Sequence, residues 1–228
     1  MTETPPSSPF FSEPRGVLVL RADTPLGQVL TLSLARPNAR LALSCQTGNA
    51  TFWETIPRVL QSGAIALPLE KEEGRFNSDT AESLVERVVE DFGRLDLVVW
   101  PLDHATENGT VSVEEAVEEA ARLARAARPH LRRARPTGFF LMVTNAPLPL
   151  GFSLEEATAA LAREMATGPQ GRPRVLALDL QAISQNPSSH SEDSTHLREW
   201  IGSILDTSSP TGALFSFERK EEGILPEK

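Results

Sequence analysis

The sequence predicts an α/β protein: a doubly wound parallel sheet of about seven strands with helices on both faces, three layers in all. Three observations predict it. Short apolar runs without helical spacing, as strands covered on both faces require, recur along the chain. The segments between them carry apolar residues at i, i+3 and i+4, the stripe of a helix lying on a sheet. Run and stripe alternate from residue 16 to residue 217, and right-handed crossovers then leave few topologies other than a parallel sheet.

The first strand is Val17 to Leu20, and the first helix carries Leu26, Val29, Leu30 and Leu34 and stops at Pro37 and Asn38. Arg40 to Cys45 is the second strand. The turn between first strand and first helix therefore sits on a helix N-terminus, where such Rossmann-like folds hold phosphate. Thr51 to Gln61 reads as a helix on Phe52, Ile56, Val59 and Leu60, interrupted by Pro57 near its start and ended by Ser62-Gly63. Ala64 to Leu69 is the third strand, followed by a polar loop from Glu70 to Ser78. Asp79 and Glu82 have capping-box spacing ahead of the stripe Leu84, Val85, Val88, Val89 and Phe92, which Gly93 closes.

Leu95 to Trp100 is the fourth strand, ended by Pro101. Ser112 and Glu115 open a long helix to about Arg133, where Ala121, Leu123 and Ala126 widen the apolar surface beyond one stripe. Either a partner subunit buries this second face, or alanine is present as a good helix former. Gly138 to Thr144 is the fifth strand, Ser153 and Glu156 cap a helix to Met165, and Arg174 to Leu180 is the sixth strand. Residues 185–196 read as a polar, flexible loop, Leu197 to Leu205 as a short helix and Ala213 to Phe217 as the last strand. One domain, residues 15–217, is expected between a disordered leader, 1–14, and a charged tail, 218–228.

A chain of 228 residues supports one α/β domain with a substantial core. Its net charge of −9 and its three lysines, Lys71, Lys220 and Lys228, argue against nucleic acid as a partner, because neutralising phosphates takes a Lys/Arg surface. No apolar run approaches the roughly 20 residues that span a bilayer. The N-terminus lacks basic residues ahead of an apolar stretch, and the single Cys45 rules out an internal disulfide; both suit a cytoplasmic protein. Tyrosine is absent from the chain.

With seven strands placed, the chain resembles the short-chain dehydrogenase/reductase family over roughly residues 16 to 217. The resemblance rests on LSLARPNARLAL joining first helix and second strand, FGRLDLVVW (Phe92 to Trp100) leading into the fourth strand, AARPHLRR before GFFLMVT, LAREMA before RVLALDL, and SSPTGALFSF, all in the family's order. The family's glycine-rich turn, T-G-x-x-x-G-x-G, falls on Leu20, Arg21, Ala22, Asp23, Thr24, Pro25, Leu26 and Gly27, of which only the last glycine remains. Arg21 and Pro25 add bulk where glycines admit a pyrophosphate, and Pro25 removes an N–H; in the opposite reading Arg21 grips a phosphate through its own fork. By the resemblance Arg21, Thr24, Gly27 and Ser44 are the candidate cofactor residues. At the end of the second strand stand Ser44, Cys45 and Gln46, with no carboxylate for ribose hydroxyls.

The family's N-N-A-G is replaced by Trp100, Pro101, Leu102 and Asp103. Its catalytic serine falls at Thr144 or Asn145, and its Tyr-x-x-x-Lys pair, in which lysine lowers the tyrosine pKa for proton transfer, is missing. Asp103 and His104, at the fourth strand's C-terminal edge, are the remaining acid–base candidates. His130 suits a helix C-terminus, and Cys45 is a small core residue. His190 and His196 flank Glu192 and Asp193 in too weak a pattern to assign a metal. The reading that follows is a catalytically inactive homologue with no cofactor expected, acting as a structural or regulatory subunit. By the resemblance it associates with itself or an active paralogue through helices 112–133 and 153–166. Two alternatives stand: an NAD(P)-dependent oxidoreductase with an atypical active site, and a sensor of a nucleotide or acyl ligand.

Overall fold

The computed structural model describes residues 12–71, 77–102, 113–135, 137–145, 153–166, 173–180, 190–206 and 211–217. Apolar runs and helical stripes become β1 (Arg15–Val19), α1 (Pro25–Leu34), β2 (Ala39–Gln46), α2 (Ala50–Gln61), β3 (Ile65–Lys71), α3 (Ser78–Phe92) and β4 (Leu97–Leu102). They continue as α4 (Val113–Leu131), β5 (Phe139–Thr144), α5 (Leu154–Met165), β6 (Arg174–Asp179), α6 (His190–Asp206) and β7 (Ala213–Ser216). All strand pairs are parallel, in the order β3-β2-β1-β4-β5-β6-β7. The chain steps outward from β1 to β3, then returns to lay β4 beside β1. That reversal makes the carboxyl ends of β1 and β4 the place where a doubly wound sheet receives ligands.

Strand alternation sorts side chains into two cores. Val17, Val19, Leu41, Leu43, Leu97, Val99, Leu141 and Leu176 face α1, α2 and α6, whereas Leu18, Ala42, Val98, Trp100, Phe140, Met142 and Ala177 face α3, α4 and α5. Each Leu or Phe so covered contributes about 1.5–3 kcal/mol, which offsets the entropy of ordering the chain. The three-layer expectation is met. Among the described residues no helix is long and apolar enough to cross a membrane.

Several boundaries differ from the sequence reading. Pro101 does not end the fourth strand: β4 continues to Leu102, pairing Pro101 with Val143. Val99 accepts from the Leu20 N–H (3.0 Å), so Pro101, two residues on, turns its nitrogen toward the same side, beyond the end of β1, where no ladder bond is lost. Nor does Pro57 interrupt α2, which is continuous through it; Pro57 lies on the exposed side. The cap of α3 is Asn77 rather than Asp79, its Oδ1 accepting from Thr80 N (2.8 Å).

The segment read as a loop is helical from His190, so α6 begins seven residues before Leu197. Leu123, assigned to a second apolar face on α4, is fully buried within the chain, where α3 and α5 flank α4. Residues 1–11, 185–189 and 218–228, the Ser112 cap and most of the Glu70-to-Ser78 loop lie outside the described residues.

Candidate functional site

The β1–α1 turn leaves the sheet at Leu20 and is anchored by backbone bonds from Leu20 N to Val99 O (3.0 Å) and from Ala22 N to Ser44 O (2.8 Å). Arg21 takes φ +48°, a left-handed conformation that a bulky residue rarely adopts. Its carbonyl accepts from Thr24 N and Thr24 Oγ1, both at 3.0 Å. Gly27 lies against that carbonyl so closely that a Cβ would overlap it, which is why position 27 requires glycine. Thr24 is the N-cap of α1: its Oγ1 accepts from Gly27 N at 3.1 Å. Within the turn, the Thr24 N–H, the Thr24 hydroxyl and the Gly27 N–H are thus all spent on the turn itself.

The Arg21 side chain crosses the switch point. Its guanidinium lies 5.7 Å from the Trp100 ring centroid, and Nη2 is 3.4 Å from Glu119 Oε2 on α4. Trp100 is buried, and the Arg21 and Glu119 side chains are 21% and 19% exposed. The crevice between β1 and β4 thus holds a cation, an aromatic ring and a carboxylate from this chain.

Asp23 corrects one sequence conclusion. No acidic residue ends β2, yet the Asp23 carboxylate is delivered there from the turn: Oδ2 accepts from Gln46 N (3.0 Å) and Asn49 Nδ2 (3.3 Å). A carboxylate at this place is what ribose hydroxyls want in a dinucleotide fold. No motif spacing could have found it, because it comes from the preceding loop. Ser44 is interior, with its carbonyl held by Ala22.

Arg21, Thr24 and Gly27 therefore share one turn, and Ser44 of β2 meets it through its carbonyl, which accepts from Ala22 N. Thr144 and Asn145 end β5, on the far side of β4; Thr144 is buried between Leu102 and Asp179 in register, its carbonyl accepting from Leu180 N (2.7 Å), and Asn145 is half-buried. Asp103 and His104 lie outside the described residues. Burial, helped by the carboxylates of Asp23 and Glu70, pushes the Cys45 thiol up to about 12, so it stays protonated and unreactive at neutral pH. His190 and His196 both fall on α6 rather than in a loop.

A nicotinamide dinucleotide bound in a fold of this class would lay its pyrophosphate on the β1–α1 turn and a ribose at the end of β2. At the pyrophosphate the residues present do not fit: Pro25 has no N–H, the Gly27 N–H is taken by Thr24, and the Arg21 side chain lies across the approach, over Trp100. At the ribose end, Asp23 does fit.

No family model and no curated protein sequence matches the chain. Solved structures do. The RhlG protein of Pseudomonas aeruginosa, solved as an NADP complex, is 15% identical over 91% of this chain and 96% of its own, with a TM-score of 0.64. A short-chain dehydrogenase of Oenococcus oeni is 15% identical over 90% and 96%, TM-score 0.61. An alcohol dehydrogenase of the archaeon Thermococcus sibiricus, solved with 5-hydroxy-NADP, is 16% identical over 91% and 99%, TM-score 0.60. At such identities what is shared is the architecture: the chain has the Rossmann-like fold of the short-chain dehydrogenases.

Proposed function

We propose that this chain is a catalytically inactive homologue of the short-chain dehydrogenases that works in the cytoplasm as a structural or regulatory subunit, joined to a second copy or to an active paralogue. The observation that carries the reading is the crevice at β1 and β4, occupied by Arg21 on Trp100 and paired with Glu119. A chain without tyrosine also lacks the family's usual proton donor. The test is a titration with NADH and NADPH to about 1 mM while melting temperature is followed, since a ligand of the native state raises it by mass action. No rise is expected. A saturable rise of several degrees would reject the reading.

The second reading is an NAD(P)-dependent oxidoreductase with an atypical site. It draws on Asp23 at the end of β2 and on fold neighbours solved with NADP or its derivative. Asn145 would then be the group nearest the family's serine position. This reading requires the saturable rise and NADH oxidation with a carbonyl substrate.

A further inference from the structure

We propose that Arg21 is the specificity-determining residue of the β1/β4 crevice: its side chain excludes diphosphate-bearing nucleotides from a turn that keeps a glycine-like backbone at position 21. The proposal rests on the inactive-homologue reading above. Its first support is conformational. Arg21 holds φ +48°, a region glycine enters freely and a long side chain enters at a cost, and the turn around it is the tight one that Gly27 and Thr24 close. The backbone at position 21 is that of a glycine, and what has been added is a side chain.

The second support is where that side chain goes. It starts at the end of β1, lies over Trp100 of β4 and reaches Glu119 of α4, spanning the switch point from one side to the other. With about four-fifths of each side chain out of water, the Arg21–Glu119 pair is screened far less than an exposed one. A nucleotide diphosphate approaching this turn meets a cation already neutralised and no free N–H from Gly27. The carboxylate has a further consequence. Removing Arg21 alone leaves Glu119 facing the crevice as an uncompensated anion that repels phosphate, so opening the site requires neutralising both partners.

The experiment compares wild type, Glu119→Gln, Arg21→Gly/Glu119→Gln and Arg21→Asn/Glu119→Gln, the last because asparagine also tolerates a left-handed backbone. Circular dichroism verifies folding, and calorimetric titration with ADP and with NADH reads binding. Both double variants are expected to bind ADP at least tenfold more tightly than wild type, with Glu119→Gln alone showing no gain. Folded double variants that bind no better than wild type overturn the proposal and leave the inactive-homologue reading in place. A gain confined to Glu119→Gln also overturns it, because Arg21 would then be gripping phosphate. Tight NADH binding by wild type defeats the inactive-homologue reading itself.

Discussion

Asp96 is fully buried just ahead of β4, where its Oδ2 accepts from Gly16 N (2.9 Å) and Arg94 Nε (2.7 Å), its Oδ1 from Arg94 Nη2 (2.6 Å), and the buried Arg15 lies 3.7 Å away. Removing the carboxylate takes the interior ion-pair partner from Arg15, leaving it the largely exposed Glu13 at 3.5 Å, and strips Gly16 N and Arg94 of their carboxylate acceptor. Asp96→Ala is expected to lower stability by about 3–5 kcal/mol in urea denaturation, and a loss under about 1 kcal/mol would show the network to be dispensable. His130, near the end of α4, has its pKa lowered from 6.5, first by burial and then by Arg133, with Glu86 opposing. A lowered folded-state pKa means that the unfolded chain binds the proton more readily. The histidine therefore favours folding above about pH 6.5, and that contribution is lost as pH falls toward the lower folded value. His130→Gln should flatten the decline of melting temperature between pH 7.5 and 5.5 (roughly the window set by the histidine pKa); an unchanged slope would remove His130 from the account. The sequence showed where Asp96 and His130 stand, not what surrounds them, since neighbours such as Gly16 and Glu86 are set by strand and helix pairing.

Among elements, α3 shows how close competing caps can be. Asn77 and Asp79 both suit an N-cap, but Asn77 accepts the Thr80 N–H and α3 starts at Ser78. Asn77→Ala is expected to cost about 1 kcal/mol of stability. Asp79→Ala should cost less, because Asp79 acts only through the dipole of the first turn; the reverse order would move the cap back to Asp79. Periodicity found every strand and helix among the described residues, and the misses fall at ends apart from Pro57, which sits inside a continuous α2. Pro101 was read as a stop, and the structure tolerates it because β1 is shorter than β4 at their carboxyl ends. The start of α6 was missed because His190 to Thr195 is polar, with no apolar stripe to mark it.

At the scale of the whole molecule, the proposed association depends on the outward surface of α4 and α5. Ala120, Leu123 and Ala124 are all spent inside the chain, so they cannot serve as interface probes. The outer surface carries Arg125, 2.8 Å from Glu164, and the exposed Glu118 paired with the half-buried Arg122. If these helices join subunits, Arg125→Glu should reduce the sedimentation mass without changing the circular dichroism. A monomeric wild type, or an unchanged assembly in the variant, would discard this interface. Fold class, strand number and layering were legible in the sequence because a parallel strand or a surface helix writes its burial into its own local periodicity. The absence of glycine from positions 20–26 was legible as well. Only the tertiary structure decided what that turn's side chains meet: Arg21 meeting Glu119, 98 residues on, and Asp23 reaching the end of β2, 23 residues away. Such meetings are set by crossovers and register, which bring together side chains whose own segments carry no trace of the encounter.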